Sequence, residues 1–111
     1  MTRDQRKNLR IECLIPVLIR NPKIYPQEGW GIICDLSLGG VKLETRFRLT
    51  AGDVVYITFS MEKDYTFENL CSKVMHVGYH KGYSLAGVEF DDSVDKSYLK
   101  DALSRMINSR L

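Results

Sequence analysis

The chain has 111 residues, 44% of them hydrophobic, and 16 lysines and arginines against 14 aspartates and glutamates give a formal net charge of +2. That length accommodates one ordinary hydrophobic core and not two, so all function is expected on a single domain and a separate catalytic module is excluded. So small a net charge argues against wrapping long nucleic acid, and no apolar run approaches a membrane span or a secretory signal, so a soluble, cytoplasmic protein is expected.

The charge is unevenly placed. The first ten residues carry Arg3, Arg6, Lys7 and Arg10 against Asp4, a local charge of +3 that leaves the remainder at −1. Residues 1–10 read as a flexible basic arm suited to a compact anion, with a merely solubilising tail as the plainer reading, and 11–111 read as the folded body. Cys13, Cys34 and Cys71 are odd in number and widely spaced, which fits neither a disulfide framework nor a zinc pattern, so they read as small apolar residues.

Ile11, Cys13, Ile15, Val17 and Ile19 recur at every second position, the period of a strand with one buried face, and Pro16 within the run favours an edge or bulged position. Asn21 to Gly29, with Pro22 and Pro26, reads as a loop. Trp30, Ile32 and Cys34 open a second strand that stops at the turn Asp35-Leu36-Ser37-Leu38-Gly39-Gly40. In the third, Val41, Leu43, Thr45 and Phe47 alternate with Lys42, Glu44, Arg46 and Arg48, separating an inner from a charged outer face. After a turn at Ala51-Gly52-Asp53, Val54 to Met61 and Asn69 to Val77 are β-rich segments around a Glu62-Lys63-Asp64 turn. Lys81-Gly82 then marks a hairpin before Tyr83 to Phe90. Asp91-Asp92 is expected to cap a helix in which Leu99, Ala102, Leu103, Met106 and Ile107 recur at helical spacing. About six short strands with tight turns argue for an antiparallel barrel or sandwich, its end or edge covered by the helix.

Two motifs carry chemistry. Arg6-Lys7-Asn8-Leu9-Arg10 sets two arginines roughly 13 Å apart if extended. A guanidinium fork can grip a phosphate bidentately, pair with guanine O6 and N7, or stack on a purine. In Asp35-x-Ser37-x-x-Gly40, a carboxylate can accept from the N1 and N2 hydrogens of guanine, a hydroxyl can donate nearby, and glycine allows close backbone approach or a positive φ. The plainer reading of the second motif is a turn that bonds its own backbone.

An RxxxR in an N-terminal arm, a strand directly after it, and a (D/N)xSxxG about 25 residues further on resemble the PilZ family of cyclic di-GMP receptors. Gly87-Val88-Glu89-Phe90, similar to the family's Gly-x-x-Phe, and the terminal helix extend the likeness over essentially the whole chain. The resemblance implies a six-stranded antiparallel β-barrel of the split-barrel type with a C-terminal α-helix and the ligand on its outer surface. It puts Arg6 and Arg10 on phosphate and guanine edges and Asp35, Ser37 and Gly40 around one guanine. It also implies that Gln5, before the first arginine, influences whether one ligand or an intercalated pair is bound. The expected function is a receptor or adaptor, not an enzyme, that takes cyclic di-GMP as ligand, needs no cofactor, and relays the signal to an effector protein in motility, adhesion, polysaccharide export or transcription. The arm is expected to order when its arginines meet an anionic partner.

Four other readings compete. A ligand-independent interaction adaptor of the same fold is the main one. His76 and His80 share an H-x-x-x-H spacing but straddle a strand end, so they read as ordinary surface histidines and not as metal ligands. Asp35, Ser37 and His76 lack the nucleophile elbow of a hydrolase. Trp30 and the tyrosines could stack on single-stranded nucleic acid, but their alternation is expected to serve core and cross-strand packing instead.

Overall fold

The computed structural model describes residues 9–62 and 64–110. Strands β1 (Arg10–Arg20), β2 (Glu28–Ser37), β3 (Gly40–Thr45), β4 (Val54–Met61), β5 (Tyr65–His80) and β6 (Tyr83–Phe90) are followed by helix α1 (Lys96–Ser109). Every pairing is antiparallel and the sheet closes on itself in the order β1-β2-β3-β6-β5-β4. Closure is made by a short ladder, Leu18–Arg20 against Tyr56–Thr58, so most of β1 keeps an open side towards β4.

The alternation expected of β1 and β3 is the alternation observed. Ile11, Ile15, Val17 and Ile19 are buried, as are Val41, Leu43, Thr45 and Phe47, while Lys42, Glu44, Arg46 and Arg48 are exposed. Pro16 sits on an edge-like stretch just past a bulge between Glu12 and Ile15, since β1 pairs with β4 only from Leu18 to Arg20. The proline therefore withholds no donor that a second neighbouring strand would need. The fifth strand runs from Tyr65 to His80, longer at both ends than its expected span. A bulge at Asn69, whose backbone is left-handed with φ 51°, lets Tyr65 and Phe67 rejoin the inner face beyond it. Phe67 there stacks on Phe59 at 5.0 Å between centroids.

Two expectations need correction. The helix is capped by Asp95 and not by Asp91-Asp92. The Asp91 carboxylate instead accepts from the Ser93 N–H, forming a turn that delays the helix by one step, and Asp95 Oδ1 accepts from the Ser97 and Tyr98 N–H groups and the Ser97 hydroxyl. The aromatic residues also divide differently: Trp30 is 67% exposed, and Tyr25, Tyr79, Tyr83 and Tyr98 are exposed, leaving Tyr56 half-buried and Tyr65 as the buried tyrosine among the described residues. At Trp30 the inner face belongs to its neighbour Gly31, where a Cβ would stand 2.7 Å from Glu44 O, with Thr45 and Ile19 close by.

The Ser97 hydroxyl and the two backbone donors hold the Asp95 carboxyl below its ordinary value of 3.8. A depressed folded-state value stabilises above the unfolded pKa and is lost as pH falls through the lower folded value. Asp95→Ala is therefore expected to lower the melting temperature at pH 7, and the difference from the parent should close as pH drops below 3.8, read by circular dichroism melts at both ends.

Helix α1 lies across the end of the barrel where the β2–β3 turn, the β4–β5 turn and the start of β1 meet. Leu99, Ala102 and Leu103 are fully buried against the core. Lys96 Nζ donates to Leu38 O at 2.7 Å, the Tyr98 hydroxyl donates to Asp64 O, the Tyr65 hydroxyl donates to Asp101 Oδ2 at 2.6 Å, and Arg110 Nη1 donates to Glu12 O at 2.7 Å. The helix thus ties three separate strand ends together, the β2–β3 turn among them.

Candidate functional site

The outward position of Asp35 depends on an irregularity of β2. Ile33 pairs with Leu43 and Asp35 with Lys42, so Cys34 is one residue too many for β3. Strict alternation from the buried Ile33 would send Asp35 into the core and Leu36 to solvent. The bulge reverses this: Asp35 turns to the outer wall and Leu36 is fully buried. Cys34 and Cys13 line this irregular region, their thiols donating to Lys42 O and Ile33 O. Burial pushes the Cys13 thiol up to about 11, so it behaves as a weak donor and a small apolar group.

Arg10 is the first residue of β1 and lies opposite Ser37, diagonal to Asp35. Its Nη2 donates to Asp35 Oδ2 at 2.7 Å, with the arginine side chain 58% exposed and the aspartate 16%. One edge of the guanidinium is engaged, and the fork retains donors for an anionic or guanine partner. Arg6 lies outside the described residues.

Ser37 and Gly40 have structural employment. The Ser37 hydroxyl accepts from the Gly39 and Gly40 N–H groups and donates to Gly40 O, closing the β2–β3 turn around itself. The Phe90 N–H bonds Gly39 O at 2.8 Å and Lys96 holds Leu38, so the turn is fixed from β6 and from the helix as well. At Gly40 a Cβ would stand 2.0 Å from Val88 O and 3.0 Å from Glu89 Cα. Of the two roles glycine could play here, close backbone approach is the one the fold uses.

These residues border an open groove of about 310 Å³ on the outer wall over β3 and β6. Arg10, Asp35, Ser37 and Gly40 form one side, Lys42, Gly87 and Glu89 lie along it, and Met75 and His76 of β5 form the other. The motifs identified the first side. Gly87 was legible as part of the Gly-x-x-Phe stretch, whose Phe90 is buried. Met75 and His76 were not legible as site residues, because a second bulge, between Val74 and His76, turns them outward. The groove presents mixed charge and planar hydrogen-bonding groups, suited to a ligand that is itself part anion and part polar ring. Among the described residues no three potential metal ligands cluster, and the Ser37 hydroxyl is committed to its own turn and not to an imidazole.

No helix among the described residues is long and apolar enough to cross a membrane. No curated protein matches the chain. Solved structures share its fold at low identity. MrkH from K. pneumonia in its apo state matches with a TM-score of 0.75 at 18% identity, over 99% of this chain and 54% of that one. YcgR from Escherichia coli, in complex with c-di-GMP, matches with a TM-score of 0.69 at 18% identity, over 95% and 45%. The PilZ domain of CeSA from a cellulose-synthesizing bacterium matches with a TM-score of 0.58 at 20% identity, over 90% and 95%. The chain therefore spans about half the length of MrkH and YcgR and nearly all of an isolated domain. The family model described as PilZ domain matches residues 4–109, and with the closed six-stranded barrel and its terminal helix this establishes that the chain belongs to the PilZ domain family.

Proposed function

We propose that the chain binds cyclic di-GMP in the groove over β3 and β6 and passes the signal to a partner protein as a receptor or adaptor. The carrying observation is the Arg10–Asp35 pair at the groove's mouth, a guanidinium and a carboxylate held 2.7 Å apart by two strands at the position where the family motifs converge. Arg10 supplies a fork for phosphate or for the guanine O6/N7 edge, and Asp35 an acceptor for guanine N1 and N2 hydrogens. A volume near 310 Å³ is at the small end of ligand sites, so the remainder of a dinucleotide calls for a further contact, a role we assign to Arg6. That structures of YcgR and MrkH have been solved in complex with c-di-GMP supports the ligand class.

A ligand-independent adaptor is the second reading, favoured by the fact that Ser37 and Gly40 are both accounted for by the turn and the strand contact. Calorimetric titration with cyclic di-GMP, with GTP as control, decides between them. Saturable binding at micromolar or lower concentration supports the receptor; no heat and no rise in melting temperature on adding the dinucleotide leave the adaptor.

A further inference from the structure

On β5, Val74 pairs with Val88 and His76 with Gly87, so Met75 is one residue more than β6 can match. Val74 is fully buried, and strict alternation would turn His76 back into the core two positions later. The bulge instead leaves Met75 and His76 both facing outward into the groove. Bulges are a recurrent means of re-aiming a side chain beside a binding site.

The ring then needs somewhere to rest, and Gly87 provides it. A Cβ at position 87 would stand 2.2 Å from His76 Nε2 and 2.5 Å from Cε1, so any other residue there expels the imidazole. Among the described residues neither ring nitrogen bonds a protein group, although the side chain lines the groove together with Lys42, Glu89 and Met75. A neutral imidazole carries one donor and one acceptor, and guanine presents N7 and O6 acceptors on one edge. The half-exposed Met75 thioether beside it offers a polarisable apolar surface to a ring face.

We infer that His76 is a ligand-recognising residue of this groove, positioned by the β5 bulge and seated on Gly87, and that it donates a ring N–H to a guanine edge opposite Arg10 and Asp35. The inference rests on the reading of the groove as a cyclic di-GMP site.

Calorimetric titrations of the full chain with cyclic di-GMP test it, each variant first checked for a cooperative melt. His76→Ala is expected to weaken binding about tenfold, the loss of one hydrogen bond to the ligand. His76→Gln, which keeps a side-chain N–H, should recover most of the affinity, and His76→Phe should not. Gly87→Ala should weaken binding by displacing the ring, and adding it to His76→Ala should cost nothing more, because the ring it displaces is already gone. Unchanged affinity in His76→Ala, with the parent binding normally, overturns this inference and leaves the receptor reading intact. Recovery by His76→Phe overturns the donor role. A full additional loss in the double variant overturns the seating on Gly87. No binding by the parent protein overturns the receptor reading and this inference together. Should Gly87→Ala fail to fold, the three His76 variants decide.

Discussion

Gly40→Val is expected to unfold the barrel or leave it more than about 3 kcal/mol less stable, beyond the usual ~1–3 kcal/mol of an overpacked site. The reason is the identity of the obstructing atoms. A Cβ at position 40 meets Val88 O at 2.0 Å and Glu89 Cα at 3.0 Å, backbone atoms of β6 that no rotamer change can move. Relief requires β3 and β6 to separate where Gly40 pairs with Glu89, at the end of the barrel held by Phe90 and Lys96. Chemical denaturation read by circular dichroism checks this, and Gly40→Ala should lie between the parent and the valine variant. A valine variant as stable as the parent would show that the strand contact is not needed. The expectation bears on function too, since lost ligand binding in a Gly40 variant reports a lost barrel before it reports a lost contact.

Arg10→Ala is expected to do the reverse, costing little stability and much affinity. The Arg10–Asp35 pair is solvent-exposed on the arginine side, and such pairs contribute roughly 0.2–1 kcal/mol to folding. In the proposed role, a charge-assisted contact to a phosphate or guanine edge, the same guanidinium would contribute about 1.5–3 kcal/mol, so cyclic di-GMP binding should weaken by an order of magnitude or more. Asp35→Ala should weaken binding comparably, and the double variant by less than the product of the two factors if the pair meets the ligand as a unit. Thermal melts and calorimetry on the same three variants read both quantities. Equal affinity in Arg10→Ala and the parent would remove the groove's mouth from the site.

How much of this could be seen in the chain itself differs from element to element. The period-two runs at Ile11–Ile19 and Val41–Phe47, the glycine turns at Gly52 and Gly82 with their positive φ, and the helical spacing of Leu99, Ala102 and Leu103 are local properties, and each is realised as read. The helix cap was misplaced because Asp91, Asp92 and Asp95 are all competent caps in isolation, and only the turn closed by Asp91 and Ser93 selects the last. Trp30 was misplaced because alternation identifies two faces without saying which is inner, and the crowding of Gly31 by Glu44 O and by Thr45 and Ile19 is a contact between strands.

The candidate site divides the same way. Its chemistry, an arginine, a carboxylate and a glycine turn at a strand end, was carried by the sequence through residue type and spacing. Its shape was decided by two bulges, at Cys34 in β2 and Met75 in β5, which turn Asp35 and His76 out of the core and onto one wall. A bulge is a mismatch in count between two paired strands, one residue against two, and has no existence within either strand alone. Sequence periodicity could therefore mark each strand and its residues, whereas the register between strands, and with it the direction of Asp35 and His76, came into being only when the barrel closed.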